Sequence, residues 1–154
     1  MGNTCTIHTS ASAAEAFGVV ADLSSYGSWL PRSVSYRGTD LERTSASPLL
    51  GTRYADRTPL GQVEGVVTEV EMGRRIRFRQ ALRDRSLSID ITYEFEDGIA
   101  GSMVRRTGII EVAGRIRPIA WIVVPLTRAE NRRTMRALRR HLAGLSPADA
   151  ARPR

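Results

Sequence analysis

Residues 118–145 read PIAWIVVPLTRAENRRTMRALRRHLAGL, and no other run in the chain is long enough for a major helix. Val124, Asn131, Met135, Leu138, Leu142 and Leu145 recur at steps of three, four or seven, which gathers them on one helical face. Arg128, Arg132, Arg136, Arg139 and Arg140 fall on the opposite side. A helix so divided needs a broad apolar partner. Two positions toward the inward face, Thr127 and Asn131, are polar, which points to a cavity under the helix and not only to a greasy core. Pro125 separates an all-apolar first stretch, Ile119 to Val124, from the two-faced remainder, and a cavity mouth is expected at that first stretch.

The partner is read from the segments before it. From Gly51 onward the chain reads as hairpins, with strands near 52–58, 62–72, 75–83, 86–96 and 101–113. Turns are marked by Pro59-Leu60-Gly61, Gly73-Arg74, Asp84-Arg85 and Asp97-Gly98. Such spacing without intervening helices argues for an antiparallel meander. Residues 33–43 read as a further strand, and 44–50 (TSASPLL) as a loop.

The 75–96 hairpin carries the firmest register. Ile76, Phe78, Gln80 and Leu82 alternate with arginines, and Leu87, Ile89, Ile91, Tyr93 and Phe95 alternate with polar or acidic residues. A turn at 83–86 sets Arg75 against Glu94 and Arg79 against Asp90 outside, and Phe78 against Ile91 and Ile76 against Tyr93 inside. Extending the parity with Phe95 near Ser102 turns Val104, Arg106, Gly108 and Ile110 inward. An inward Arg requires a carboxylate, a ligand anion or solvent. In the earlier hairpin, a three-residue turn sets Tyr54, Asp56 and Thr58 on one face with Gln62, Glu64, Val66 and Thr68, which makes Asp56 and Glu64 the candidate partners of Arg106.

The first strand is read at residues 4–9. Ser12 and Glu15 form a capping-box pattern that opens a short helix with Phe17, Val20 and Ala21 on its apolar side. Asp22-Leu23-Ser24 breaks it, and a second short helix runs through Trp29 to Pro31. Tyr26 and Trp29 are either packing residues or a cavity wall.

The chain of 154 residues is expected to form one α+β domain over 1–145 with a disordered tail at 146–154. Its net charge of +7 invites a nucleic-acid reading, yet all 23 basic residues are Arg, which is what a genome-wide bias would place on any solvated face. No zinc, helix-turn-helix or RNP pattern accompanies the charge, so nucleic acid is set aside as a partner. Cys5 stands alone, and neither a transmembrane run nor a signal peptide is read, so a cytoplasmic location is expected. Gly2 and Thr6 formally satisfy an N-myristoylation pattern, but a strand is read there. His8 and His141 are isolated, so no metal is expected, and there is no P-loop, GxGxxG or Ser/His/Asp pattern to imply a cofactor or a hydrolase.

The order strand, two short helices, meander and long helix resembles the START-like, or SRPBCC, superfamily, and within it the polyketide cyclase/dehydrase and lipid-transport family. The likeness is carried by VADLSSYGSWLP at 20–31, GTRYADRTPLGQVEGVVTEVEMGRRIRF at 51–78, IAGSMVRRTGIIEV at 99–112 and the Pro125-interrupted final helix. It implies the helix-grip fold, a curved antiparallel seven-stranded sheet wrapped around the C-terminal helix, with a cavity for lipids, polyketides or similar apolar molecules. In aromatase/cyclase members a cavity Arg assists enolisation and loss of water, a place Arg106 would take. The Trp-rich pocket strand of that subgroup has no counterpart here, since Gln62 to Val70 contains no aromatic.

The leading expectation is a protein that binds a small apolar ligand between sheet and helix. Tyr26, Trp29, Tyr54, Val66, Phe78 and Ile91 would form part of its wall, and Tyr93, Val104, Trp121, Thr127, Asn131 and Met135 the rest. Arg106, Asp56 and Glu64 would orient a polar end of the ligand. The alternative is a polyketide-type cyclase/dehydratase in which Arg106 stabilises an enolate and Asp56 or Glu64 moves protons. Against both stands a structural ion pair between Arg106 and one of those carboxylates. A second alternative, a protein-interaction module, rests on the arginine face of the last helix. Ligand identity and oligomeric state are not legible.

Overall fold

The structure, a computed structural model, describes residues 2–33, 35–41 and 50–145. The tail at 146–154 and, except for Leu50, the loop at 44–50 lie outside the described residues. Strand β1 (Gly2–Thr9) leads into α1 (Ala13–Ala21), a short 3-10 turn (Leu23–Ser25) and α2 (Tyr26–Trp29). Strands β2 (Thr39–Leu41), β3 (Arg53–Thr58), β4 (Gly61–Glu71), β5 (Arg75–Leu82), β6 (Leu87–Gly98) and β7 (Gly101–Val112) follow. A 3-10 stretch (Gly114–Ile119) then delivers the chain to α3 (Ala120–Leu145), 26 residues long. All seven strands form one antiparallel sheet in the order β1-β7-β6-β5-β4-β3-β2, curved around α3 in the helix-grip arrangement. No helix among the described residues is long and apolar enough to cross a membrane.

Helix α1 starts where the capping box is written. The Glu15 amide donates to Ser12 Oγ at 3.1 Å, and the Ser12 amide donates to Glu15 Oε2 at 2.8 Å. The amide of Ala13 donates to Asp97 Oδ1 at 2.8 Å, which ties this helix start to the end of β6.

The central hairpin has the expected register, with Arg75 opposite Glu94, Ile76 opposite Tyr93 and Phe78 opposite Ile91. Asp90 faces Arg79 in the ladder but takes its ion pair diagonally from Arg77, at 3.8 Å. On β7 the parity also holds, although Phe95 pairs with Val104 and not with Ser102.

Two segments depart from expectation. Of the strand read at 33–43, residues 34, 42 and 43 lie outside the described residues, and the described part is strand only at Thr39–Leu41, because the Ser33 amide and hydroxyl close a turn with Tyr36 and Gly38 follows at φ +135°. In the β3–β4 hairpin Gly61 pairs with Thr58, so the turn holds only Pro59 and Leu60 and the parity of β4 is the reverse of that expected. Val63, Gly65 and Val67 therefore face inward with Tyr54 and Asp56, while Glu64 and Val66 face outward. A register shift between Val67 and Glu69 then restores Val70 to the inner face opposite Ile76.

Two apolar clusters fill the space between sheet and helices. The larger joins α1 and the C-terminal half of α3 to the sheet through Phe17, Val20, Phe95, Val104, Met135 and Leu138. The smaller lies at the opposite end, where Val63, Leu82, Leu87 and Ile110 meet Ile116 and Val123. Leu145, assigned inward by periodicity, is 52% exposed at the end of the helix.

Candidate functional site

A cavity of about 320 Å³ lies between the two clusters, under the N-terminal half of α3. That is within the range of small-molecule sites, whose lower end is about 300 Å³. Its floor is a row of rings crossing the sheet. Tyr54 meets Phe78 edge-on at 5.9 Å, and Phe78 meets Tyr93 edge-on at 6.1 Å. Leu87, Ile89, Ile91 and Ile110 continue the floor, and Val123, Thr127 and Asn131 of α3 form the roof. The mouth opens between Pro59-Leu60, at the tip of the β3–β4 hairpin, and the partly exposed Ile119, Ile122 and Leu126.

Two glycines set the shape of the floor in opposite ways. A Cβ on Gly65 would sit 2.3 Å from the Tyr54 ring, so that ring lies flat on bare backbone. A Cβ on Gly108 would meet nothing within 4 Å, and Gly108 lines the cavity. The open volume exists in part because that position carries no side chain.

Polar groups gather at two points. Arg106, carried inward by the β7 parity, donates through Nε to the Tyr93 hydroxyl at 2.9 Å and through Nη1 to Asn131 Oδ1. Its guanidinium carbon lies 5.5 Å from the Tyr93 ring centroid, which adds a cation–π contact. Asn131 in turn donates to the backbone carbonyl of Asn3 at 3.4 Å, bracing the pair against β1. Among the described residues no carboxylate lies within ion-pair reach of Arg106, so the expected structural pair with Asp56 or Glu64 is absent.

Asp56 occupies the second point. Its Oδ1 accepts from Thr39 Oγ1 at 2.6 Å, and its Oδ2 accepts from Gln80 Nε2 at 2.9 Å. Gln80 also donates to the Tyr54 hydroxyl at 2.8 Å, so one amide holds both groups. Burial raises the Asp56 carboxyl to about 6, against the lowering influence of Thr39, Gln80 and Arg106. Burial likewise pushes the Tyr26 and Tyr54 phenols well above their ordinary value, which keeps both neutral. The Tyr26 hydroxyl donates to the Val20 carbonyl at 2.7 Å.

The cavity thus brings together Tyr26, Tyr54, Asp56, Phe78, Ile91, Tyr93, Arg106, Thr127 and Asn131 of the residues singled out in the sequence. The others lie elsewhere. Glu64 and Val66 line an open, polar hollow on the outer face with Arg79, a consequence of the reversed β4 parity. Trp121 is 74% exposed, on the solvent side of α3. Trp29, Val104 and Met135 are buried in the larger apolar cluster and do not reach the cavity. Sequence reasoning did not name Gln80 as a site residue, although a polar side chain at an inward position of β5 was its signal. Tyr36 and Glu130 also line the cavity. Glu130 accepts from Ser33 Oγ at 3.1 Å and from Arg133 Nε at 3.0 Å, pinning the stretch before β2 to α3. Among the described residues no group of His, Cys, Asp and Glu could hold a metal ion.

A curved sheet gripping a long helix over a ligand-sized, mostly apolar cavity defines the START-like, or SRPBCC, class of proteins. The chain belongs to the polyketide cyclase/dehydrase and lipid transport family, whose profile matches residues 4–143. No curated protein gives a significant match. Among solved structures it is similar to the di-domain ARO/CYC StfQ from the steffimycin biosynthetic pathway, with 11% identity and a TM-score of 0.71. That match covers 93% of this chain and 50% of StfQ. Ara h 8.0201 is similar at 10% identity and a TM-score of 0.70, covering 94% of this chain and 98% of that one. Protein MLL2253 from Mesorhizobium loti is similar at 12% identity and a TM-score of 0.67, covering 91% and 95%. At such identities the likeness carries the fold alone.

Proposed function

We propose that this chain binds a small, mostly apolar molecule in the cavity under α3, with one acidic or strongly polar group of the ligand beside Arg106. The observation that carries the reading is an inward guanidinium whose hydrogen-bond partners, Tyr93 and Asn131, are both neutral. A half-buried cation with no carboxylate within ion-pair reach among the described residues has an electrostatic reason to accept an anionic group, and the surrounding walls accept a hydrocarbon body. Native mass spectrometry with decanoate and decanol tests it. Decanoate is expected to bind at least about tenfold more tightly, an advantage of about 1.4 kcal/mol, and Arg106→Leu is expected to abolish the difference. No adduct with either probe, from protein that also carries no co-purifying species, would sink the proposal.

A second reading, cyclisation or dehydration of a polyketide-like substrate, is favoured by the Asp56 carboxyl near 6 on the same cavity wall system as Arg106. Asp56 would take a proton from the carbon alpha to a carbonyl while Arg106 stabilises the enolate oxygen; the enolate then collapses to the alkene as hydroxide leaves the beta carbon, and the proton held by Asp56 departs with it as water. Conversion of a β-hydroxyketone probe to the enone, followed by absorbance, is expected to fall by about two orders of magnitude in Asp56→Asn. Turnover unchanged in that variant would remove Asp56 from the chemistry.

A further inference from the structure

The arginines of this chain are deployed in two different ways. On the outer face of the sheet acids are interleaved with them: Arg75 reaches Glu94 at 3.1 Å and Glu69 at 3.5 Å, Arg77 reaches Asp90 at 3.8 Å, and Arg105 reaches Glu94 at 3.7 Å, although Arg53 and Arg79 there meet no carboxylate within ion-pair reach among the described residues. Composition alone would favour the same arrangement wherever Arg is exposed. On α3 it does not hold. Arg132, Arg136, Arg139 and Arg140 are exposed and meet no carboxylate within ion-pair reach among the described residues. The only acid on the helix, Glu130, is bound to Arg133. The ridge therefore presents uncompensated positive charge along several turns.

The same ridge begins with exposed apolar residues. Trp121, Arg132 and Arg139 are spaced so that they share one helical face. Trp121 is 74% exposed, and its neighbours Ile119, Ile122 and Leu126 are 38%, 41% and 43% exposed. Large apolar side chains grouped at one end of a basic helix face are not explained by the packing of the fold, since Trp121 belongs to neither apolar cluster and stands 74% exposed.

We propose that this ridge docks the protein on an anionic lipid bilayer, with Trp121 and Ile122 in the headgroup interface and the arginines on phosphate and other acidic headgroups. The choice of occupant follows from the combination. A nucleic acid would answer the arginines but offers no apolar layer for four exposed side chains, whereas a bilayer surface supplies both at the right depth. An indole is the side chain best suited to that boundary. Because Ile119, Ile122 and Leu126 also rim the cavity, docking sets the mouth against the membrane, so an apolar molecule can pass between bilayer and cavity without crossing water. The docking itself does not depend on cavity occupancy, and its test is separate from the ligand test.

The test is flotation of the full chain with phosphatidylcholine vesicles, with and without phosphatidylglycerol. At low salt, partitioning onto the anionic vesicles is expected to be at least about tenfold stronger, and to weaken as salt is added. The chain holds two tryptophans, so Trp29→Phe leaves Trp121 as the sole indole, and its emission should shift to the blue on binding. Trp121→Ser should reduce partitioning several-fold, and Arg132→Glu with Arg136→Glu should abolish the anionic preference, both with unchanged circular dichroism. Equal partitioning onto both vesicle types, no partitioning, or binding without a change in Trp121 emission would each overturn the proposal. Tighter binding of a short DNA duplex than of anionic vesicles, competing for the same arginines, would overturn it in favour of nucleic acid.

Discussion

The two halves of α3 lie on one sheet and do different work. In the C-terminal half, Met135, Leu138 and Leu142 are fully buried against the larger cluster, and the buried Thr134 is the polar residue that marks its border with the cavity. In the N-terminal half the helix stands over empty volume, and its inward positions include Thr127 and Asn131 beside Arg106. One half stabilises the fold by filling space; the other is held in place by it. The lesson is that a cavity of this size is affordable only when a solid cluster at the far end of the same helix supplies the binding between layers.

The largest expected effect comes from attacking the solid half. Leu138→Ala should cost about 2–5 kcal/mol of unfolding free energy, measured by urea denaturation, whereas Ile122→Ala at the mouth should cost less than about 1 kcal/mol. Comparable losses at both positions would erase the distinction between the halves. Filling the hollow half comes next. Gly108→Leu places a side chain where a Cβ meets nothing within 4 Å, so it should weaken decanoate binding by more than about tenfold, roughly 1.4 kcal/mol, with the melting temperature unchanged or raised. A destabilised variant that still binds decanoate would contradict the open floor.

A smaller effect sits in the polar layer between the halves. The Asp56 carboxyl is raised in the folded state, from 3.8 to about 6, by burial. The folded protein therefore holds this proton more tightly than the unfolded chain does. Stability from this group is present below about pH 4 and is lost as pH rises through 6. Asp56 is only partly shielded from solvent, so the change is on the order of 1 kcal/mol. Asp56→Asn should flatten that part of the stability profile between pH 4 and 7, and an unchanged slope would assign it to another group. Smallest is the outer face: Arg77→Ala, which removes an exposed pair to Asp90, should shift stability by less than about 1 kcal/mol.

How far the sequence reached depends on how many constraints met at each position. The 75–96 hairpin was legible because charge pairs outside and apolar pairs inside demanded one register, and from there parity carried Arg106 into the cavity wall. The β3–β4 hairpin had no second constraint. Counting Gly61 as a turn residue, when it pairs with Thr58, exchanged Val63 and Gly65 for Glu64 and Val66. Trp121 was misassigned for a different reason: the run before Pro125 is apolar on all sides, so it carries no periodicity to say which side faces in. Trp29, Val104 and Met135 face inward as read, but facing inward does not tell depth, and these three lie in the packed end. Gly108 was recognised as inward, while the open space beside it became visible only when the opposing helix was in place.

The Tyr54 ring resting on Gly65 ties together properties that might otherwise vary apart. Any larger residue at 65 must drive the ring off the backbone, and the ring cannot move without dragging on Gln80, which also holds Asp56. Pocket width and the acidity of the carboxyl are therefore physically coupled in this chain. A substitution that narrows the floor at 65 changes the carboxyl's surroundings in the same step, whereas one at Gly108, where a Cβ meets nothing within 4 Å, narrows it and leaves the Tyr54–Gln80–Asp56 chain untouched.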